Sequence, residues 1–375
     1  MERKTKIAIN ATFVLENPTG LGVYTYELLR ELLKLECDFD FTVYTSSPNL
    51  KNLHPDRVAL ISPYTSPGLG FWGHLMRLLW QQLVLPFKVR TEKPSLLYST
   101  VPEGIMSFRE KQVITVHDIL PIKYPNSCPK MKYYFYYSLP ILLNRSRAVI
   151  CVSENTKKDI IAYHEMRDKP IYVIYEGFNR QHFYPREKTT VQERYGLTDY
   201  LLYIGDMRPY KNLERSLEAF TRLNLRKYKF VIGGKKDPRF YTRIEKKVEE
   251  LLVKDRIVFL DYVPHQDLPH LYSEAALFVF PSLYEGFGLP PLEAMACGCP
   301  VIASNAASVP EVCGDAAYYV DPYDVESIAE GMRKVLTDEA LRRNLIEKGL
   351  ERAKLFSWEK SAKEHLKVFE EVLNS

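Results

Sequence analysis

The sequence predicts an α/β protein built from two parallel-sheet units in tandem. Three observations lead there. Short apolar, β-branched runs alternate with longer stretches of helical period, the pattern of parallel strands covered by helices on both faces. These runs fall into two series, separated by the polar, turn-rich segment Gly177–Arg194. The chain has 375 residues, and at ~100–200 residues per domain that leaves room for two domains, each with its own core.

In the first series the strands are expected at Lys6–Asn10, Phe39–Thr45, Ser95–Ser99, Gln112–His117, Ala148–Val152 and Ile171–Ile174. The second series runs through Tyr200–Gly205, Lys229–Gly234, Arg256–Leu260, Leu277–Phe280, Pro300–Ala303 and Ala317–Val320. Helices fit between them, among them Gly22–Leu35, Asn212–Leu223, Arg239–Leu252 and Val325–Leu336. The expected division is a first domain over 1–180, a linker over 181–196, a second domain over 197–357 and a terminal helix over 358–375. Trp358, Ala362, Leu366, Val368, Phe369 and Val372 give that last helix one apolar stripe, which must be buried against something. Because it follows the last strand of the second series, it is expected to cross back to the first domain.

Composition removes several classes of function. With 46% hydrophobic and 26% charged residues the chain is an ordinary globular protein, not a disordered or collagen-like one. Its 51 basic residues nearly balance 47 acidic ones, so bulk nucleic-acid binding is not expected. The longest stretch free of Asp, Glu, Lys and Arg, Val58 to Met76, is broken by Pro63, Pro67, Gly68, Gly70 and Gly73. A spanning helix needs ~20 mostly apolar residues, and only Ile7, Ala8 and Ile9 follow the charged start before Asn10, too few for a secretory core. Six cysteines (Cys37, Cys128, Cys151, Cys297, Cys299 and Cys313) have no metal-finger spacing and read as structural thiols of a reducing cytoplasm. Asp38-Phe39-Asp40 spells a D-x-D, but it stands at a strand entrance where turn-forming aspartates are common, so no metal site is expected.

Four segments carry residues suited to chemistry. Past the first strand, Asn17-Pro18-Thr19-Gly20-Leu21-Gly22 leads into a helix; Gly20 and Gly22 let the backbone approach a ligand and helix N–H groups favour an anion. The third glycine of a dinucleotide fingerprint is missing, which disfavours a dehydrogenase. His117, next to Asp118, falls at the carboxyl end of a strand, where open α/β sheets bind ligands; capping of the strand, with a bond to Asp118, is the plain alternative. In Gly205-Asp206-Met207-Arg208-Pro209-Tyr210-Lys211-Asn212, Arg208 and Lys211 follow a strand and suit a diphosphate, arginine through paired N–H contacts; two solvated cations are the alternative. The most informative segment runs from Phe280 through Glu285-Gly286-Phe287-Gly288-Leu289-Pro290-Pro291 to Glu293 and Gly298. It reads as strand, glycine loop, proline-started helix and glycine stop. Glu285 falls in the loop and Glu293 in the first helical turn, where a carboxylate often does no more than offset the helix dipole.

Glu285-x7-Glu293 resembles the Glu-x7-Glu motif of the retaining, sugar-nucleotide-dependent glycosyltransferases of family 4. The resemblance continues through Gly298-Cys299-Pro300 and Ser308-Val309-Pro310-Glu311, runs back to Gly205 with Lys211-Asn212, and adds Thr19 to Gly22, His117-Asp118 and Val152-Ser153-Glu154. It implies the GT-B fold, two Rossmann-like domains facing a cleft that holds the donor. It also implies roles. Glu293 would hold the nucleotide ribose, and Glu285 the donor-sugar hydroxyls. Arg208 and Lys211 would neutralise the diphosphate, helped by amides around Gly286, Phe287, Gly288 and Leu289 and by the Gly20–Gly22 loop. His117 would contact the donor sugar, and Val263, after Leu260-Asp261-Tyr262, would border the base. Relatives often carry the arginine directly after the glycine, where this chain has Asp206, so the role of Lys211 is the firmer one. No metal is required on this scheme, because cations and amides supply the positive field. Within the family the chain is most similar to enzymes adding mannose to bacterial surface polysaccharide, which points to GDP-mannose. A UDP-sugar donor with a soluble acceptor, and a non-catalytic nucleotide-sugar-binding protein, are the alternatives.

Two runs in the first half combine aromatic and basic residues: Phe71 to Arg90, and Lys130 to Tyr137 with Arg145 and Arg147. They suit a peripheral contact with an anionic lipid surface, and with it a lipid-linked glycan acceptor at the inner face of the plasma membrane. Helices packing a sheet, with cations at their exposed ends, satisfy the same pattern.

Overall fold

The computed structural model describes residues 4–15, 20–107, 111–164, 169–187 and 190–375. Asn17, Pro18 and Thr19 of the glycine loop, and residues 188 and 189 of the expected linker, lie outside them. The chain divides into two compact units, residues 1–177 with 358–375, and residues 178–357.

The first unit holds a seven-stranded sheet. Its strands are β1 (Thr5–Asn10), β2 (Phe39–Thr45), β3 (Val58–Leu60), β4 (Leu96–Ser99), β5 (Gln112–Val116), β6 (Ala148–Cys151) and β7 (Ile171–Val173). They lie in the order β3-β2-β1-β4-β5-β6-β7, every pair parallel. Every residue of β4, β5 and β6 is buried, as expected of central strands covered on both faces. β3 is absent from the sequence-based expectation: three residues on a sheet edge carry too little pattern.

The second unit has β8 (Tyr200–Ile204), β9 (Lys229–Gly233), β10 (Ile257–Phe259), β11 (Leu277–Phe280), β12 (Val301–Ser304) and β13 (Tyr318–Val320). Their order is β10-β9-β8-β11-β12-β13, again all parallel. Leu217, Phe220, Phe230, Ile232, Val279 and Met332 lie in the core beneath this sheet. Both sheets therefore reverse strand order once, between β1 and β4 and between β8 and β11. Ligands of open α/β sheets bind at the carboxyl side of that switch.

The helix Trp358–Asn374 belongs to the first unit and packs on the helix Leu21–Leu32, with the Trp358 and Tyr24 rings 5.6 Å apart. Two other helices of this unit contain a π-turn, at Trp80–Val84 and Tyr134–Ser138. Each runs straight into Leu-Pro, Leu85-Pro86 and Leu139-Pro140. Proline lacks an N–H and its ring clashes with the carbonyl four residues back. The wider turn lets the preceding leucine amide reach five residues back instead, which absorbs the proline without breaking the helix.

Candidate functional site

In the second unit the loops after β8 and β11 flank the switch point. Gly205 follows β8 directly and is approached so closely that a Cβ on Gly234 would stand 1.9 Å from its carbonyl oxygen. Gly234 itself has φ 155°. The Tyr203 hydroxyl donates to the Asp206 carbonyl at 2.7 Å, and the Asp206 carboxylate accepts from the Arg208 amide at 3.1 Å. The Arg208 side chain turns back towards the same carboxylate, Nε to Oδ2 3.6 Å, and stays partly exposed. A short 3₁₀ turn, Pro209–Lys211, then ends at Asn212, which is left-handed with φ 62°. Its side-chain nitrogen donates to the carbonyls of Pro281 at 2.9 Å and Pro322 at 2.6 Å. With the Leu283 amide bonded to the Tyr210 carbonyl at 2.7 Å, these contacts fasten the two loops together.

Lys211 and Glu285 meet where the loops are fastened. The ammonium lies 2.7 Å from one carboxylate oxygen and 3.0 Å from the other. Only 15% of the lysine side chain and 12% of the glutamate side chain remain exposed. Burial by itself would lower the lysine, but the Glu285 carboxylate overrides it and holds the ammonium well above its usual range. The Ser308 hydroxyl lies 3.0 Å from the Glu285 carbonyl and 2.8 Å from that of Phe287, so it pins the loop from behind. Gly286 and Gly288 flank Phe287, whose side chain is buried against Phe356. Gly288, with φ 112°, is the N-cap of the helix Leu289–Ala296. Pro290 and Pro291 have no N–H, so the amides of Gly288 and Leu289 are the donors this end offers to an anion.

Glu293 corrects the sequence-based expectation. It sits in the second turn, not the first, because the helix already begins at Leu289. Its carboxylate accepts from the Tyr272 hydroxyl at 3.1 Å, and burial pushes it up to about 7 against a small opposing effect of that bond. Val263, in the segment after β10, packs towards Gly233: a Cβ there would stand 2.9 Å from its Cγ2.

In the first unit, His117 is buried just past β5. Its Nδ1 lies 3.3 Å from Glu176 Oε1 and its Nε2 3.0 Å from the Thr100 carbonyl. The Asp118 carboxylate accepts instead from the Leu120 amide at 2.7 Å. Sequence reasoning missed Glu176, a single carboxylate in a turn-rich stretch with no motif around it. The segment carrying Thr100 is held further on by Glu103, whose carboxylate pairs with the buried Arg77 through Nε at 2.8 Å and Nη2 at 3.0 Å. Gly20, with φ 50°, caps the helix Leu21–Leu32, and Gly22 is buried in its first turn.

Two family models cover this chain in succession, "Glycosyltransferase Family 4" over residues 18–182 and "Glycosyl transferases group 1" over residues 186–352. The O-antigen chain mannosyltransferase B of Escherichia coli is 35% identical over 369 residues, 91% of this chain and 93% of that one. The chain belongs to the family 4 glycosyltransferases. Among solved structures, a sucrose-phosphate synthase from Thermosynechococcus elongatus superposes with a TM-score of 0.78 at 22% identity, over 99% of this chain and all of that one. A protein of Anabaena crystallised with UDP-glucose gives 0.76 at 16% identity, over 98% and 99%. At such identities the likeness speaks for the fold, which is GT-B. This glycosyltransferase is a nucleotide-sugar-dependent hexosyltransferase, and its Lys211–Glu285 pair joins the loops at the switch point of the sheet in the group 1 half, with Glu293 on the helix that follows.

Proposed function

We propose that the enzyme moves mannose from GDP-mannose to a growing surface polysaccharide with retention of anomeric configuration. The observation that carries this reading is the Lys211–Glu285 pair at the β8/β11 switch, with Glu293 on the helix that follows. Similarity to the E. coli mannosyltransferase supports the sugar. On this reading Glu293 takes the ribose hydroxyls and Glu285 the hydroxyls of the sugar. Lys211, Arg208 and the Gly288 and Leu289 amides face the diphosphate, the Gly20–Gly22 turn adds amides, and His117 serves the donor sugar.

The acceptor oxygen forms a bond to the anomeric carbon as the bond from that carbon to the diphosphate breaks. The acceptor proton passes to the departing phosphate on the same face. Charge therefore gathers on the leaving group, and fixed cations and amides aimed there stabilise the transition state more than the ground state. A thermal-shift panel of nucleoside diphosphates and their sugars tests the donor. At 100 times its dissociation constant a ligand adds ~2.7 kcal/mol, so GDP and GDP-mannose should raise the melting temperature. A response to UDP compounds alone would overturn the choice of donor.

The acceptor is proposed to be lipid-linked and reached from an anionic bilayer. The helical stretch from Gly70 to Glu92 packs its sheet through Trp80, Leu85 and Val89. Its other side presents Trp72, Met76, Leu79, Leu83 and Phe87, all exposed, with Leu83 at 70%. Tyr133, Tyr136, Tyr137 and Ile141 are exposed on the stretch from Met131 to Arg145, and Lys130 lies over the Phe71 ring at 5.0 Å. Neither Arg57 to Thr91 nor Ile119 to Ser153 contains an acidic residue. An apolar, aromatic surface on stretches whose charged residues are mainly basic suits anionic headgroups.

A further inference from the structure

The C-terminal helix reaches His117 through one buried aromatic residue. The Tyr24 ring stands edge-on to the His117 imidazole, with centroids 4.4 Å apart and planes at 90°. The Tyr24 hydroxyl lies 3.0 Å from His365 Nε2, 3.3 Å from the Tyr98 hydroxyl and 3.4 Å from Thr115 Oγ1. The Tyr98 and Thr115 hydroxyls are themselves 2.8 Å apart. Thr115, on β5, precedes His117 by two residues, and His117 follows directly after that strand, so this knot of hydroxyls grips the backbone that leads to the imidazole. Tyr24, Tyr98, Thr115 and His365 are all buried.

The direction of the bonds follows from chemistry. His365 Nδ1 lies 2.7 Å from the Ser361 carbonyl, which can only accept, so Nδ1 carries the proton and Nε2 is left as an acceptor. The Tyr24 hydroxyl therefore donates to Nε2. Burial, above all, pulls His365 down to about 4, which keeps the ring neutral and the arrangement single-valued. His117 is thus fixed at Nδ1 by Glu176, at Nε2 by Thr100, and on its open flank by a tyrosine whose own hydroxyl is tied to the last helix of the chain.

We propose that Tyr24 and His365 are positioning residues for His117, which makes the helix Trp358–Asn374 a working part of the sugar site. The proposal rests on the reading of His117 as a contact of the donor sugar. Neither Tyr24 nor His365 need touch substrate. They hold the plane of the imidazole, and displacement of a reacting contact by about 1 Å can cost ~10²-fold in rate.

The test uses the full chain with ¹⁵N-labelled histidine. Long-range ¹⁵N–¹H spectra of the rings are recorded against pH for the wild type, Tyr24→Phe, His365→Gln and His365→Asn, alongside the kinetics of GDP-mannose hydrolysis. Glutamine places an acceptor where Nε2 stands, whereas asparagine places its amide where Nδ1 stands. His365 should appear as the Nδ1-protonated tautomer and stay neutral to about pH 5. Tyr24→Phe and His365→Asn should shift the His117 ring signals and lower kcat by about 10- to 100-fold, with KM changed less than about twofold. His365→Gln should recover most of the loss. Unchanged His117 signals in folded Tyr24→Phe, or equal losses in the Gln and Asn variants, would overturn the proposal. Failure of the underlying reading shows differently: His117→Ala would then hydrolyse GDP-mannose at the wild-type rate, while the ring spectra would still decide whether Tyr24 and His365 hold the imidazole.

Discussion

Lys211 and Glu285 neutralise each other across two loops of the second unit, so each is the other's counter-charge before any ligand arrives. On the proposed reading, a diphosphate entering beside Lys211 would compete with that carboxylate and free it for hydroxyl groups.

Lys211→Ala and Glu285→Ala are each expected to lower transfer by ~10²–10³-fold, the usual loss on removing one transition-state donor. The Lys211→Ala/Glu285→Ala double variant should lose much less than the product of the two, because the pair acts as a unit. Rates measured on proteins with wild-type circular dichroism check this; full transfer by either single variant would sink the assignment.

Glu293 makes stability depend on pH. Its carboxyl stands at about 7 when folded against an ordinary 4.5, so the neutral form stabilises the fold below that ordinary value. The contribution is lost as pH rises through about 7. Melting curves from pH 5 to pH 8 should therefore fall more steeply for the wild type than for Glu293→Gln. Affinity for GDP should move the other way, rising over the same interval, since ribose hydroxyls donate best to a carboxylate.

Ser308→Ala removes the hydroxyl between the Glu285 and Phe287 carbonyls. Loss of one such hydrogen bond costs ~0.5–1.5 kcal/mol. Chemical denaturation should show a loss in that range, and kcat should drop as the loop carrying Glu285 loosens.

Two glycines separate strain from collision. Gly288→Ala meets nothing nearer than the Phe280 ring at 3.9 Å but keeps φ at 112°, a cost of ~1–3 kcal/mol. Gly234→Ala would drive its Cβ to 1.9 Å from the Gly205 carbonyl and push the β8 loop aside. The Gly234 variant should lose donor binding in a titration with GDP-mannose, and the Gly288 variant should keep more of it.

Vesicle flotation tests the lipid-facing side. The wild type should float with vesicles of phosphatidylglycerol at low salt and release at high salt, as expected of screened charge. Trp72→Ser with Phe87→Ser should abolish flotation without lowering the melting temperature, because both side chains are exposed. Absence of wild-type binding would remove the membrane from the proposal.

The strands were legible because central parallel strands are buried on both faces and read as continuous apolar runs. β2 and β11 fall on the residues expected, while the edge strand β3 left no such run. Gly205, Lys211, Glu285 and Glu293 stood out because glycines mark the loops at a sheet's carboxyl edge and because the Glu285-x7-Glu293 spacing, with Gly205 and Lys211-Asn212, resembles a family motif. The ion pair between Lys211 and Glu285 could not: nothing in either segment says that β8 and β11 are neighbours. Glu176, Tyr24 and His365 escaped for the same reason. Tyr24 and His365 are 341 positions apart, and each alone resembles an ordinary core residue.

The tail helix has a consequence for biosynthesis. Residues 1–177 are complete long before the ribosome reaches Trp358, yet Trp358 and His365 fill places against Tyr24, and Phe369 one against Tyr98. The first half of the polypeptide must wait, with an apolar seat open, until residues 358–374 have been made. A nascent chain stopped short of the tail would be a substrate for chaperones rather than a folded lobe.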